Sequence, residues 1–374
     1  MKRIVVTGSN GLLGYHAAVH LHAANCAAGY KGGPLPYEVR RVDREAFLSD
    51  ARLRGALTGA DIVLHFAGVN RGDPAEVEAA NPAIAARLVE ACRGAGARPH
   101  IVYANSTHAA GQTPYGRGKA RAAEMLSGLG GGLTDLVLPH IFGEGGRPYY
   151  NNVTSTLIDQ ILQGAVPAIN PDGRVSLLHA GRAADIAIEA GLAGQDARVA
   201  PAGRPMSVPE LHALLLRFHE LYSANVYPPL ADDFEVELFN TYRAATYPGG
   251  WPRTLKVHAD PRGRLFEAVK GGSGGQTFLS TTLPGVTRGD HFHLGKVERF
   301  LVLEGEAVIR MRRVLGTTVH EYRVSGAAPA PVDMPTLHTH SIENVGPGPL
   351  LTLFWTHEQF DPQRPDTFAD KVLP

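Results

Sequence analysis

Four short apolar runs, separated by long Ala- and Leu-rich stretches, constrain the fold of this chain more than any other feature. The runs are RIVVTG, DIVLHFAG, HIVYANS and DLVLPHIFG, at residues 3–8, 61–68, 100–106 and 135–143. Strands that are apolar throughout are buried on both faces, and helical connections between them are typical of a parallel sheet. The first part of the chain is therefore predicted to be an α/β doubly wound parallel sheet.

The pattern changes between residues 226 and 256, where VYPPLADDFE and TYPGGWPRT favour a connector over a regular element. Short strand-like segments follow, with Gly and Pro between them: TFLST, RFLVLEG, EAVIRMR, HEYRV and LLTLFW. This spacing predicts an all-β sandwich or barrel. We therefore expect two domains, residues 1–250 and residues 251–374, each long enough to bury its own core.

Composition excludes several classes of protein. Lys+Arg and Asp+Glu both number 36, so the formal net charge is zero and no nucleic-acid partner is expected. The only cysteines, Cys26 and Cys92, do not suit a disulfide scaffold and fit a reducing compartment. The chain opens on a strand-like segment and lacks a long apolar run, so neither secretion nor a membrane span is predicted. A cytoplasmic protein is expected.

The run TGSNGLLG, residues 7–14, directly follows the first predicted strand and opens a helix near Leu12. Gly8 would permit a tight turn, Gly11 the approach of the backbone to a pyrophosphate, and Gly14 close packing of the helix on the sheet. The pattern predicts a Rossmann-type dinucleotide-binding loop that also includes Asn10 and Leu12. A purely structural glycine turn is the alternative.

Two arginines lie at the end of the second predicted strand, YEVRRVD. An acidic residue there favours the ribose hydroxyl of NAD, whereas the guanidinium groups of Arg40 and Arg41 match the 2′-phosphate of NADP. NADP(H) is therefore the expected cofactor. Two alternatives remain: Asp43 could bind the hydroxyl if the strand ends later, or both arginines could be solvated surface residues.

Tyr115 and Lys119 lie four residues apart in YGRGK, which places both on one face of a helix. A phenol with a pKa of about 10 is a poor acid at neutral pH, so we expect the Lys119 ammonium to lower the pKa of Tyr115 and to hold a nicotinamide ribose. Ser106, at the end of the preceding strand, would orient a carbonyl. The alternative for Tyr115 and Lys119 is a helix-surface pair.

The motifs TGSNGLLG, HFAG, NS and YGRGK resemble those of extended short-chain dehydrogenase/reductases over roughly residues 1–190. The resemblance implies that Tyr115 is a general acid, Lys119 its electrostatic partner and Ser106 the residue that orients the carbonyl. Further residues that it implies, lining the cofactor or supporting the site, are His65, Ala67, Gly68 and Asn81. The chain departs from the family's Arg-Pro-x-Asn-x-x-Gly run, because VLPHIFG places His140 where the asparagine would contact substrate.

A second candidate site follows in GDHFHLGKVERFLVLEG, residues 289–305. His291 and His293 alternate along an extended segment, so both point to one side, and Glu298 is far enough along to return on the next strand. His340, in PTLHTHSIEN, is a fourth candidate. Imidazoles with one carboxylate suit a divalent transition metal, with zinc the expected ion, and leave positions open for substrate. A His-x-His pair alone is usually structural.

These two stretches resemble the two cupin motifs, which implies a jelly-roll β domain. Leu337 stands where the second motif has glycine. The neighbouring His338 could be a metal ligand, a catalytic base or a residue at the rim.

Upstream, DPRGRLFE resembles the opening strand of sugar-nucleotide epimerase cupins. There the resemblance implies nucleotide-sugar contacts for Asp260, Arg262 and Glu267. A strand-edge ion pair is the alternative.

A reductase followed by a metal cupin, with the tail HEQFDPQRPDTF, resembles the bifunctional capsular-polysaccharide enzymes along both domains. The resemblance implies a homodimer whose cupin epimerises carbon 3 of a UDP-4-keto-6-deoxy-HexNAc. Reduction of the ketone would then yield UDP-2-acetamido-2,6-dideoxy-talose or a similar sugar. The pairing is chemically sensible, because the ketone acidifies the neighbouring C–H and its reduction fixes the product. Two alternatives are a reductase whose cupin only binds or dimerises, and a sugar-nucleotide sensor.

Overall fold

The computed structural model describes residues 1–261, 263–272 and 274–373. It contains two compact units, residues 1–156 with 169–209 and residues 157–168 with 210–374, called here the α/β unit and the β unit. The domain limits predicted from the sequence, 1–250 and 251–374, remain a prediction about which segments fold independently. Within the described residues, none of the helices combines the length and the apolarity that crossing a membrane requires.

Six parallel strands form the main sheet of the α/β unit. In spatial order they are β2 (Tyr37–Val42), β1 (Lys2–Thr7), β3 (Ile62–His65), β4 (His100–Ser106), β5 (Leu133–Leu138) and β8 (Ala197–Val199). A smaller sheet contains β6 (His140–Phe142), β7 (Arg174–His179) and β9 (Arg204–Ser207). The predicted doubly wound parallel sheet is confirmed.

Helices alternate with these strands along the chain. They are α1 (Leu12–Tyr30), α2 (Arg44–Leu48), α3 (Asp50–Leu57), α4 (Pro74–Gly94), the 3₁₀ helix η1 (Thr107–Ala110), α5 (Pro114–Ser127), α6 (Val153–Leu162) and α7 (Ala180–Ala193). Successive strand residues face opposite sides of the main sheet. Val5 packs with Leu88 of α4 in one core, whereas Ile4 and Val6 pack with Leu21 of α1 in another. Two buried faces explain why these strands are apolar throughout.

The β unit contains two antiparallel sheets and a hairpin. One sheet has the order β12 (Gln276–Thr282), β19 (Leu350–Thr356), β14 (Glu298–Glu304), β17 (Val332–Met334). The other has the order β16 (Val319–Ser325), β15 (Glu306–Arg313), β18 (His338–Asn344), β13 (Thr287–Phe292), β20 (Phe368–Ala369). The hairpin pairs β10 (Val257–Asp260) with β11 (Gly263–Phe266). The predicted all-β C-terminal part is confirmed.

Helices α8 (Val208–Ser223) and α9 (Asp233–Thr246) hydrogen-bond to these sheets and their loops. The Tyr222 hydroxyl donates to the Asp333 carboxylate at 2.6 Å, and the Asn240 amide donates to the Gly295 carbonyl at 2.7 Å. Helix α9 lies inside the stretch that the sequence predicted to be a connector, so that prediction was wrong there. The Asp232 side chain caps the helix by accepting from the Glu235 N–H, a local signal that the neighbouring prolines and glycines obscured.

Candidate functional site

The glycine loop lies against the segment that follows β3. Gly8 has a φ of 65°, and a Cβ atom at this position would lie 2.8 Å from the Ala67 nitrogen. A Cβ on Gly14 would lie 2.2 Å from the Gly8 carbonyl oxygen, so both positions require glycine. Helix α1 starts directly after Gly11 without a side-chain cap. An uncapped helix start behind a tight glycine turn is the geometry that binds a pyrophosphate.

Arg40 has a structural role in the α/β unit. Its Nε donates to Glu38 at 2.8 Å, and its Nη1 donates to the carbonyls of Gly55, Ala56 and Thr58 at 2.9, 3.0 and 3.0 Å. Its Nη2 lies 2.8 Å from the Glu38 carboxylate. The guanidinium thus caps the end of α3, which leaves it poorly suited to bind a cofactor phosphate.

Arg41, the next residue on β2, contacts the glycine loop, whereas Arg40 contacts the end of α3. Its Nη2 lies 3.2 Å from Asn10 Oδ1, within the glycine loop. Asp43, the alternative ribose ligand, accepts from the Ala46 N–H at 2.9 Å and caps α2. Of the two predicted arginines, the geometry favours Arg41 as the one beside the cofactor loop.

His65 supports this loop from inside the core. The ring is 1% exposed, stacks between Phe47 and Tyr103, and its Nδ1 lies 2.8 Å from Thr7 Oγ1. Burial lowers the pKa of His65 to about 3, with a smaller contribution from Lys119. A neutral ring with almost no exposed surface is better placed to support the glycine loop than to line a cofactor, the role that the resemblance implied.

The neighbours of His65 are better placed for that role. Ala67 is partly exposed and Gly68 is exposed, and a Cβ on Gly68 would lie 3.0 Å from Asn81 Oδ1 and 3.9 Å from Lys119 Nζ. The Asn81 side chain, on α4, accepts from the Val69 N–H at 3.2 Å and donates to its carbonyl at 2.8 Å. Asn81 therefore fixes the backbone of this loop, as expected of a supporting residue.

Ser106, Tyr115 and Lys119 meet at the carboxyl end of β4. Lys119 is buried, donates to the Ala104 carbonyl and lies 4.2 Å from the centre of the Tyr103 ring. Burial lowers the pKa of Lys119 to about 7, although Asp135 opposes the shift. The geometry thus brings together the three residues that the sequence selected for proton transfer.

The predicted effect of Lys119 on Tyr115 is not observed. Burial raises the pKa of Tyr115, and the opposing contribution is a side-chain hydrogen bond with Ser106. The reason is the direction of the ammonium, which contacts the Ala104 carbonyl, and its own burial, which disfavours its charge. The expectation that Lys119 lowers the pKa of Tyr115 was therefore wrong for this arrangement.

The two glycines of YGRGK allow neighbouring elements to approach α5. A Cβ on Gly116 would lie 2.1 Å from the His108 carbonyl oxygen, and one on Gly118 would lie 2.6 Å from the Glu78 carbonyl oxygen. The first contact holds η1 against α5 and places the exposed His108 ring 6.2 Å from the Tyr115 ring, centre to centre. Sequence reasoning missed His108; its position two residues after Ser106 was the available signal.

His140 lies on β6 in the same unit and is partly buried. Its Nε2 has no hydrogen-bond partner among the described residues. Burial, and then the neighbouring His108, lower its pKa. A neutral imidazole with an unused nitrogen is suited to accept or donate a hydrogen bond to a polar substrate group.

In the β unit, His291, His293, Glu298 and His340 form one cluster whose ligand atoms all lie within 4.8 Å of one another. The strand register explains their meeting, because His291 of β13 is paired with His340 of β18. The Glu298 Oε2 atom lies 3.1 Å from His293 Nε2 and 3.2 Å from His340 Nε2. The sequence therefore selected four residues that the fold brings together.

The hydrogen bonds on the far side of each ring determine what this cluster can bind. Nδ1 of His293 is bonded to the Asp366 carbonyl, and Nδ1 of His340 to the His338 carbonyl at 3.1 Å. A carbonyl only accepts, so each Nδ1 carries a proton, and Nε2 is the ring nitrogen that faces Glu298. Although burial opposes the shift, the Glu298 carboxylate raises the pKa of His293. A metal could replace the Nε2 protons, and three imidazole nitrogens with one carboxylate are a donor set that fits a divalent metal.

His338 lies outside that four-residue cluster. Its ring packs 4.5 Å from the Tyr247 ring, centre to centre, and its Nδ1 bonds to the Thr336 carbonyl at 2.9 Å. Leu337 has a φ of 59°, the left-handed conformation that favours glycine, which explains why the motif has glycine there. Of the roles left open for His338, the ligand role is not supported.

The predicted nucleotide-sugar residues lie near the β10–β11 hairpin. Asp260 is exposed at the end of β10, and Glu267 is an exposed residue whose carboxylate lies 3.1 Å from Lys270. Arg262 lies outside the described residues. Neither Asp260 nor Glu267 belongs to the His and Glu cluster, so their part in substrate binding stays a prediction.

Comparisons with known proteins agree with both halves of this description. The NAD dependent epimerase/dehydratase family matches residues 4–189, and the polysaccharide biosynthesis C-terminal domain matches residues 258–368. The UDP-2-acetamido-2,6-beta-L-arabino-hexul-4-ose reductase of Pseudomonas aeruginosa is 30% identical over 383 aligned residues, which cover 99% of each chain.

Solved structures show the same similarity along the whole chain. The capsular polysaccharide assembling protein CapF from Staphylococcus aureus is 28% identical with a TM-score of 0.59, covering 99% of this chain and 100% of that one. CapF with the inhibitor 3-isopropenyl-tropolone is 26% identical with a TM-score of 0.55 and the same coverage. These similarities along both units show that the chain belongs to the family that includes this reductase and CapF.

Proposed function

We propose that the chain is a bifunctional sugar-nucleotide enzyme of capsule or surface polysaccharide biosynthesis. The β unit would epimerise carbon 3 of a UDP-4-keto-6-deoxy-HexNAc, and the α/β unit would reduce the ketone with NADPH. The product would be UDP-2-acetamido-2,6-dideoxy-talose or a similar sugar. The observation that carries the proposal is the meeting of Ser106, Tyr115 and Lys119 beside a glycine loop, in a chain related over its whole length to a UDP-keto-sugar reductase.

In the reductase step, bound NADPH would supply the hydride that adds to carbon 4. Ser106 would hold the carbonyl oxygen, and Tyr115 would give its proton to that oxygen as the alkoxide forms. The raised pKa of Tyr115 keeps the phenol protonated, as a general acid requires. Lys119, beside Gly68, is placed to hold the nicotinamide ribose.

His140 and His108 are proposed to contact the sugar near its ketone. His108 lies close to Tyr115, and His140 has an unused buried nitrogen. A polar group next to the ketone would satisfy that nitrogen, which otherwise costs free energy in a buried position.

The choice of NADPH over NADH is proposed to rest on Arg41, since Arg40 already caps α3. The fit of a dinucleotide itself is supported by the glycine positions, where any Cβ would collide with the backbone.

In the epimerase step, a divalent metal held by His291, His293, Glu298 and His340 would supply an electrophile for the keto oxygen. Zinc is the proposed ion, because three imidazoles and a carboxylate are ligands that zinc prefers. His338 remains the proposed base that removes and returns the proton at carbon 3. We also propose a homodimer and a cytoplasmic location.

One observation favours a second candidate function, a reductase whose β unit binds without catalysing. His338 is buried against Tyr247 and hydrogen-bonded to the backbone, a surrounding that suits a structural residue as well as a base.

The test is an assay of the full chain with a panel of UDP- and dTDP-4-keto-6-deoxy sugars. We expect NADPH oxidation with a UDP-linked substrate and, in deuterated water without NADPH, deuterium at carbon 3 by NMR. Oxidation without exchange would support the second candidate. Binding of substrate and NADPH without oxidation would contradict the enzyme proposal and leave a sensor.

A further inference from the structure

A second buried cluster of histidine and glutamate lies in the α/β unit. It consists of His16 on α1, Glu144 just after β6 and His179 at the end of β7, and its ligand atoms also lie within 4.8 Å of one another. All three side chains are buried. By composition and spacing it resembles a metal site as much as the cluster of the β unit does.

The hydrogen bonds of the two rings argue against a metal here. Nδ1 of His179 accepts from the Gly181 N–H at 3.3 Å, so the ring proton is on Nε2, which donates to the Glu144 carboxylate at 2.8 Å. Nε2 of His16 lies 3.0 Å from the Glu144 carbonyl, an acceptor, so this nitrogen also carries its proton. A metal needs a lone pair at those nitrogens, and both are donors.

The same contacts hold Glu144 at two points, its backbone carbonyl and its carboxylate. The flanking Gly143 and Gly145 have φ values of 156° and 86°, so the chain bends at Glu144 in a way that glycine permits. A Cβ on Gly143 would lie 3.2 Å from His16 Nε2 and 3.0 Å from the Ala180 Cβ. Such close approach leaves little room for the bend to shift.

The bend at Glu144 links helix α1, which follows the glycine loop, to the segment that carries His140. His16 follows Gly14 by two residues on α1, and His140 precedes Glu144 by four residues. The register of β6 and β7 pairs Phe142 with His179, so the hydrogen bonds to Glu144 continue this strand pair beyond its last backbone contact.

We infer that His16, Glu144 and His179 form a hydrogen-bonded clasp that positions the His140 segment relative to the glycine loop. They are positioning residues, because Glu144 acts through the backbone that carries His140. The inference concerns the reductase and rests on the proposed function for its kinetic readout.

The test compares Glu144→Ala with the matched control Glu144→Gln in the full chain. The alanine variant should lose about 10- to 100-fold in kcat/KM for the keto sugar, mainly through KM, because the displaced segment contacts sugar and not hydride donor. The glutamine variant keeps an oxygen that accepts from His179, so it should stay within about threefold of the parent. The Kd of NADPH, measured by fluorescence, should change by less than about threefold in both.

Two further measurements test the clasp without relying on turnover of a keto sugar. Amide hydrogen exchange across residues 143–152 should accelerate in Glu144→Ala but not in Glu144→Gln, even if no keto sugar is reduced and the proposed function fails. Metal analysis should give one equivalent per chain, unchanged in His16→Ala. Unaltered kinetics and exchange in Glu144→Ala would overturn the clasp, as would two metal equivalents with one lost in His16→Ala.

Discussion

The two histidine–glutamate clusters share residue types and spacing, yet their hydrogen bonds point to opposite roles. In the β unit, Nδ1 of His293 and His340 donates outward to carbonyls, so Nε2 faces Glu298 and can give up its proton to a metal. In the α/β unit, the ring nitrogens of His16 and His179 that face Glu144 are donors to it. Clusters of similar composition can therefore differ in their capacity to bind a metal, because the outer hydrogen-bond partners of each ring determine which nitrogen must keep its proton.

Replacing one histidine of each cluster by alanine should give the largest difference between the two clusters, in metal content and in exchange at carbon 3. His291→Ala should abolish stoichiometric metal binding and, with it, deuterium exchange at carbon 3, because an incomplete ligand set leaves no electrophile. His16→Ala is the matched control and should keep its metal. Metal content by mass spectrometry and exchange by NMR report the two effects. Wild-type exchange in a metal-free His291→Ala protein would show that the cluster is structural.

Tyr115→Phe should inactivate the reductase while both clusters stay intact. The loss in NADPH-dependent reduction should be about 10²- to 10⁴-fold, because the transferable proton is removed but the glycine loop is not. The variant should bind NADPH with nearly unchanged Kd and retain exchange at carbon 3. Substantial residual turnover would exclude Tyr115 as the acid.

A third buried polar cluster extends the comparison to stability. The Asp333 carboxylate accepts from Arg299 at 2.9 Å and from the hydroxyls of Tyr222 and Tyr227 at 2.6 and 2.7 Å. Tyr222 and Tyr227 lie in or shortly after helix α8, so a shortened chain of residues 210–374 keeps both and should fold. A chain of residues 255–374 lacks both tyrosines, and its free energy of unfolding should be lower by at least about 1–3 kcal/mol.

Urea unfolding followed by circular dichroism compares the stability of the two shortened chains. As a point-mutation control, Asp333→Ala in the full chain should cost about 3–5 kcal/mol, since it leaves a buried guanidinium without its counter-charge. Equal stability of the two shortened chains would show that the tyrosine hydroxyls contribute little.

The two neighbouring arginines, Arg40 and Arg41, differ in their hydrogen-bond partners, and replacing each should have a small but different effect. Arg41→Ala should reduce the preference for NADPH over NADH by about tenfold, the effect of losing one charge-assisted hydrogen bond to phosphate. Arg40→Ala should leave that preference unchanged and lower the melting temperature, because Arg40 caps α3. Dissociation constants for both cofactors and a thermal melt test the pair. A preference that follows Arg40 would reverse the assignment.

Much of the fold was predictable because its signals are local. The apolar strands, the glycine turn and the start of α1 at Leu12 all follow from alternation of burial and from backbone sterics within about ten residues. Helix α9 was missed because its flanking prolines and glycines outweighed a single capping aspartate, Asp232.

Local sequence patterns were enough to select the candidate residues of both sites: the glycine loop, Ser106 with Tyr115 and Lys119, and the four residues of the β-unit cluster. They were also enough to predict the order of the strands along the chain. Which of these groups still have a nitrogen available for a ligand depends on contacts that form only in the folded chain. The partners that decide this are remote in the chain, as His16 and Glu144 are, 128 residues apart. A local sequence pattern determines on which element a side chain lies. Hydrogen bonds to distant backbone groups determine which of its atoms carries a proton, and therefore its chemistry.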